Sequence, residues 1–352
     1  MKRTIVTIAA VIACTAGYAI AQECSPQDWK GCKGKPWVIG ATMDSPVGEK
    51  WWPNKRWGAG DEAGATNWYT RPEVIHRAIA EAKTGKVYSL GHPYTSNQPA
   101  FAGRQFVMRI VGTPTGGPFG ANMVVYHDEF VATEIGQTGT QFDGLGHIGV
   151  AINGPGDHHE MRFYNGFSET EIGDTYGLKK LGVEKLHPIV ARGILLDIAG
   201  LKGVEAMEAG QEITMTDVRA ALKRQGMEDF RFMPGDVVLF RTGWSKYWIK
   251  DNAKYNNGAP GIGMEVAKWL SDHVQAGVAG SDAWPVEVVP NPDKACVFCA
   301  HTHLITRHGI LLQENMDLDA PARDKVYTFM YVFSPMLIAG ATGSAGAPLA
   351  IR

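Results

Sequence analysis

From Arg71 to the C-terminus, short β-branched or aromatic runs are interleaved with segments of helical periodicity, and none is long or regular enough to bury its apolar face alone. That interleaving is satisfied by a sheet with helices laid against it, which restricts the chain to α/β architectures. A helix is expected to open at Arg71-Pro72-Glu73, with Val74, Ile75, Ala78 and Ile79 on one face, and to stop at Gly85. Strands are expected over residues 86–90, 105–111 and 123–133, then 236–241, 278–280, 310–313 and 327–338, the last broken at Pro335, with a further apolar run at 189–198. Helices are expected over 216–224, 264–275 and near 297–307. The elements do not follow a strict βαβ repeat and show no fixed internal period. The expected fold is therefore α/β, a mixed β-sheet or barrel core with surrounding helices.

The first 21 residues place Lys2 and Arg3 before an apolar run of roughly ten residues, ending in the small-x-small triplet Ala19-Ile20-Ala21. This is the pattern of a secretory signal peptide cleaved after Ala21, and the run is shorter than the about 20 residues a membrane-spanning helix needs. A periplasmic or secreted protein without stable membrane insertion is expected. The competing reading takes Val11-Ile12-Ala13-Cys14 as a lipoprotein box that would leave Cys14 acylated. Residues 22–70, rich in Gly, Pro and Trp, read as an irregular N-terminal arm, and 71–352 as a single catalytic domain. With 45% hydrophobic and 20% charged residues the chain is globular, and its net charge of -2 with no basic run after the signal excludes the footprint of nucleic-acid binding.

Past the signal, four cysteines remain, Cys24, Cys32, Cys296 and Cys299, an even number suited to an oxidising compartment. Cys24 with Cys32 would staple the arm. Cys296-x-x-Cys299 is followed by His301 and His303, so a disulfide and a zinc-type Cys/His cluster are mutually exclusive readings there.

The stretch Gln137-Thr138-Gly139-Thr140-Gln141-Phe142-Asp143-Gly144-Leu145-Gly146-His147 concentrates polar side chains and glycines directly after a strand. Asp143 and His147 are an oxygen and a nitrogen donor four residues apart, suited to a divalent metal or to acid/base work. On spacing alone, a turn in which Asp143 binds backbone amides and His147 is a buried core histidine serves equally well. His127-Asp128 reads as a hairpin turn, His158-His159 as an exposed loop, and Ser168 and Ser281 lack a G-x-S-x-G elbow. The N-terminal tryptophans would either floor an aromatic pocket or fill a core.

The same stretch resembles the signature His-x-Gly-Thr-His-x-Asp-x-x-x-His of the cyclase family, which includes bacterial kynurenine formamidases and isatin hydrolases. Further matches run along residues 55–320: Trp57-Gly58, Asp61-Glu62-x-Gly64-x-x-Asn67, Arg192-Gly193-x-Leu195-Leu196-Asp197, Pro234-Gly235-Asp236, Gly280-x-Asp282, His303-Leu304 and Gly309-Ile310 leading to Glu314. The resemblance implies a swivelling β/β/α fold, one or two divalent metals, water attack on a carbonyl carbon, and a homodimer or homotetramer. By position it implies Asp143, His147, His303 and Glu314 as metal ligands, with His301 as substitute for His303. Gln137 and Gln141 stand where the signature has histidines, and Tyr164-Asn165-Gly166 is similar to a stretch in relatives that share this glutamine. A glutamine offers a metal only a neutral amide oxygen, which favours Mn²⁺ over Zn²⁺. Asp143 and His147 are the expected catalytic residues, His147 carrying the proton. The expected activity is hydrolysis of an amide, lactone or related bond in a small cyclic or acylated substrate. The rivals are a periplasmic binding protein that lost its metal, and a metal-free lactone cyclase or isomerase.

Overall fold

The computed structural model describes residues 51–151, 161–294 and 296–352. The signal segment, Cys24, Cys32, most of the arm and His158-His159 lie outside the described residues.

Seventeen strands are described: β1 Val87–Ser89, β2 Phe106–Ile110, β3 Gly116–Phe119, β4 Val124–Tyr126, β5 Glu129–Thr133, β6 Gln141–Asp143, β7 Val150–Ala151, β8 Met161–Arg162 and β9 Ile189–Asp197, then β10 Glu212–Ile213, β11 Val237–Arg241, β12 Gly261–Ile262, β13 Val278–Ser281, β14 Leu311–Glu314, β15 Thr328–Phe333, β16 Gly343–Ala345 and β17 Leu349–Ile351. Nine form one sheet in the order β1-β17-β15-β9-β11-β13-β14-β6-β16. Its centre, β9, β11, β13 and β14, is parallel, whereas β6 and β15 pair antiparallel with β14 and β9. All four central strands are largely buried, and β9 and β11 are rich in Val, Ile and Leu because both faces are covered. The α/β mixed sheet expected from the sequence is what the chain forms.

Among the described residues the eight α-helices are α1 Pro72–Ile79, α2 Glu169–Ile172, α3 Ile198–Lys202, α4 Met215–Arg224, α5 Asn252–Asn256, α6 Met264–Lys268, α7 Cys299–His301 and α8 Asp319–Arg323. Proline at the first position of α1 and the Thr214/Asp217 capping box of α4 start those helices as their sequences require. The two expected helices at 264–275 and 297–307 are not uniform. Each begins as an α-turn and continues as a π-helix, Trp269–Val274 and Thr302–Arg307. No helix among the described residues is long and apolar enough to cross a membrane.

The core begins before Arg71, because Ala65, Trp68 and Tyr69 on the 3-10 turn Gly64–Thr70 are buried in it. Several of the matched motifs turn out to be fasteners. Asp61 accepts from the Gly64 amide and from Tyr164 Oη, each at 2.8 Å, while Asn165 donates to Gly58 O at 2.7 Å. Arg192 clamps the buried Asp236 through two bonds of 3.1 and 2.6 Å.

Candidate active site

The polar stretch, for which a turn is one of the two readings on spacing alone, enters the sheet. Gln141–Asp143 is β6, fully buried between β14 and β16, in the register Glu314↔Gln141 and Leu312↔Asp143. Alternation along a strand puts Gln141 and Asp143 on one face and Phe142 on the other, where it packs on Phe333 with ring centroids 4.9 Å apart. Directly opposed residues share a face, so Glu314 joins Gln141 and Asp143. Gly139 precedes them at φ +65°, where a Cβ would strike the Tyr94 ring.

Three donors converge here. Asp143, His301 and Glu314, all buried, offer ligand atoms within 4.8 Å of one another. The fourth expected donor, His147, reaches Asp143 Oδ2 at 3.8 Å through Nε2 but falls outside that trio. His303 does not arrive at all. The chain leaves α7 directly into the π-helix, so two residues past His301 the side chain faces away, and His303 Nε2 lies 2.9 Å from Ser271 Oγ. His301 takes its place in the cluster.

The two glutamines also differ from the expected ligand role. Asn315 donates its amide to Gly139 O at 2.7 Å and so turns the same nitrogen toward Gln141 Oε1. With its oxygen occupied there, Gln141 presents Nε2 to Glu314 Oε2 at 2.8 Å. Gln137 Nε2 donates to Asp143 Oδ1 at 2.8 Å and lies 3.2 Å from His147 Nδ1. Each glutamine donates to a carboxylate and so orients it, and the Gln141 amide oxygen faces Asn315.

A residue that sequence reasoning missed is Glu287. Its buried carboxylate accepts the His301 backbone N–H at 2.8 Å and bonds Nδ1 at 2.6 Å. Nδ1 thus carries a proton and Nε2 faces Glu314 Oε1 at 3.2 Å. Its only sequence signal was a carboxylate within the apolar run Val286-Glu287-Val288-Val289.

Burial lowers the His147 pKa, and Asp143 only partly offsets it. Burial also opposes protonation of His301, but the hydrogen bonds to Glu287 and Glu314 outweigh it and push the ring well above the usual imidazole range. Glu314 rises to about 7, because it is buried and close to Asp143. Carboxylates crowded this closely need protons or a cation to balance them.

The donor set fits a divalent ion. Asp143 Oδ2 is buried without a hydrogen-bond partner and lies 3.8 Å from both His147 Nε2 and His301 Nε2. The Glu287–His301 pair is the carboxylate–imidazole arrangement that fixes a metal-binding tautomer.

The cluster lies at the floor of a cavity of about 260 Å³. Its walls include Phe101 stacked on Trp284, centroids 4.2 Å apart and 11° from parallel, with Phe298 and Arg104 alongside. The N-terminal Trp51, Trp57 and Trp68 line a different cavity. Cys296 and Cys299 are joined in a disulfide, so their sulfurs are not metal ligands and the Cys/His cluster reading is overturned.

No curated protein matches the chain. The fold is similar to a crystal structure of a novel cyclase at 29% identity and a TM-score of 0.71, covering 84% of this chain and 96% of that one. It is also similar in fold to isatin hydrolase A from Labrenzia aggregata, at 18% identity, a TM-score of 0.54 and coverage of 75% and 93%. The isatin hydrolase A from Ralstonia solanacearum gives 18% identity, 0.53, 75% and 91%. The cyclase family model matches residues 88–288, more than half of the sequence and including the β6 carboxylate, and the chain belongs to the cyclase family.

Proposed function

We propose that this cyclase-family protein is an exported metal-dependent hydrolase that opens an amide, lactone or related bond in a small, flat carbonyl compound. The observation that carries this reading is the unpartnered, buried Asp143 Oδ2, set among His301, Glu314 and His147.

Asp143, His301 and Glu314 would hold one divalent ion. Two carboxylates and one imidazole form an oxygen-rich set, which suits Mn²⁺ better than Zn²⁺. Such an ion supplies Lewis acidity, polarising a carbonyl and bringing the pKa of water from about 15.7 toward 7. The chain supplies the rest. Phe101 and Trp284 offer a flat apolar wall, which suits a planar ring. Arg104 at the cavity wall suits a substrate that gains a carboxylate when its bond opens. A carboxylate oxygen of Asp143 or Glu314 that the ion does not engage is the base for the attacking water.

His147 takes a role other than proton carrier. An ionised Asp143 only accepts, so Gln137 must turn its NH₂ toward it, and the second N–H then meets His147 Nδ1. The ring proton therefore sits on Nε2. A neutral imidazole with that proton is a hydrogen-bond donor, suited to the oxygen on which charge grows as water adds.

The test is elemental analysis of the purified protein together with a screen of lactones, cyclic amides and formamides. About one divalent ion per chain, lost in Asp143→Ala together with turnover, is the expected result. Turnover that survives complete chelation would replace this reading with the metal-free acid/base one. A chain that takes up neither manganese nor zinc and turns nothing over would favour the binding protein.

A further inference from the structure

His303, displaced from the active-site cluster, belongs to another one. Asp272, His303 and His308 offer ligand atoms within 4.8 Å of one another, and none of the three lines the active-site cavity. The grouping depends on the unusual winding of two segments. In an α-helix, residues five apart are turned about 140° from each other at 100° per residue. The π-helix Thr302–Arg307 winds i→i+5, and it brings the rings of His303 and His308 to a centroid separation of 4.6 Å. Asp272 comes from the facing π-helix Trp269–Val274.

The local hydrogen bonds leave His303 with a lone pair to offer. Ser271 Oγ has one proton and two acceptors for it, Asp272 Oδ1 at 2.8 Å and Lys268 O at 3.0 Å. Its contact of 2.9 Å with His303 Nε2 therefore takes the ring's N–H, so Nδ1 is unprotonated. A ligand imidazole held by its other nitrogen is the usual arrangement in metal sites. Ser271 and His308 also line a cavity of about 240 Å³, which gives a hydrated ion a way in.

We propose that Asp272, His303 and His308 form a second divalent-metal site, for a borderline ion such as Zn²⁺, that clips the segment following His301 to the facing π-helical turn. Two imidazoles and a carboxylate are a softer set than the active-site trio, so the two sites select different metals. The clip does not depend on the reading of the active site, since it shares no ligand with it.

The experiment uses the full mature protein, equilibrated with zinc and analysed for bound metal and for melting temperature. Asp272→Asn/His308→Gln is expected to bind about one zinc per chain fewer than wild type and to lose the zinc-dependent rise in Tm, while Asp143→Ala keeps that rise. Should the double variant not fold, wild type answers alone: zinc protects His308 from diethyl pyrocarbonate, read by peptide mass spectrometry. Undiminished zinc in the folded double variant, or His308 modified equally with and without zinc, overturns the site.

Discussion

Gln137 Nε2 lies 3.2 Å from His147 Nδ1 while donating to Asp143 Oδ1 at 2.8 Å, so one side-chain amide sets the tautomer of the imidazole and the orientation of the carboxylate. Removing that amide while keeping its length should release both. In Gln137→Met, ¹⁵N NMR of the histidine rings is expected to show His147 shared between two tautomers, where wild type shows the Nε2–H form alone. kcat/KM should fall roughly 10- to 100-fold, the scale of losses when a group that orients a metal ligand is removed. An unchanged ring spectrum would mean that Gln137 does not set the tautomer.

His301 and His303 are two residues apart and serve different clusters, which separates their variants. His301→Gln should lose the active-site ion and with it turnover. His303→Gln should keep both, because its ring meets Ser271 and His308 and does not reach Glu314. Metal content and kcat measured on the two proteins check this. The reverse pattern would restore His303 to the place that motif spacing assigns it.

Glu314 depends on Gln141 in a similar way. Gln141→Leu leaves Glu314 Oε2 buried without its N–H donor, a loss of about 1–3 kcal/mol in folding stability. Added Mn²⁺ should restore part of it by engaging the same oxygen. Urea unfolding with and without the ion measures both effects.

How much of this was legible in the sequence follows from which interactions are local. The parallel core strands declare themselves as apolar runs, and α4 through its capping box. β6 does not, because Gln141 and Asp143 carry the polarity of a turn and become strand residues only by pairing with β14, about 170 residues later. Glu287 is hidden at much shorter range: its partner His301 lies 14 residues later, and no motif spacing pairs the two. The π-helices are invisible to a periodicity read at 3.6 residues per turn, so the choice between His301 and His303 could not be made from spacing. Of the ligands the family resemblance implied, Asp143 and Glu314 come together with His301, the substitute it allowed, while His147 stands beside that trio and His303 outside it.

Stability at low pH has a local test in α4. Asp217 would be pushed up by burial, but the bonds from Lys202 and from the Thr214 amide and hydroxyl outweigh it, so its pKa lies below the ordinary 3.8. A carboxylate with a depressed folded pKa stabilises fully above its unfolded value and loses that contribution as pH falls through the folded one. Asp217→Asn should cost about 1 kcal/mol at pH 7, as loss of a cap does. The difference from wild type should shrink once the pH drops below 3.8. A constant difference across that range would show that the charge is not what matters.

The β2–β5 ribbon bears on the oligomer. Met108, Ile110, Phe130 and Val131 are all exposed, at 49, 41, 57 and 45%, and in the ribbon's register Met108 faces Val131 while Arg109 faces Phe130. Apolar side chains therefore stand on both faces of a two-stranded ribbon, which is marginal in water without a third layer. Its roots run to the active site, through Arg104 on one side and Gln137 on the other. A second copy of the chain covering the ribbon would bury these side chains and brace both ends of the cavity wall, so a homodimer is expected by light scattering. Met108→Glu/Val131→Glu places two like charges opposite each other on one face and should yield monomer with reduced turnover. A wild-type protein that is monomeric at micromolar concentration, or a variant that remains dimeric, would assign the ribbon no part in assembly.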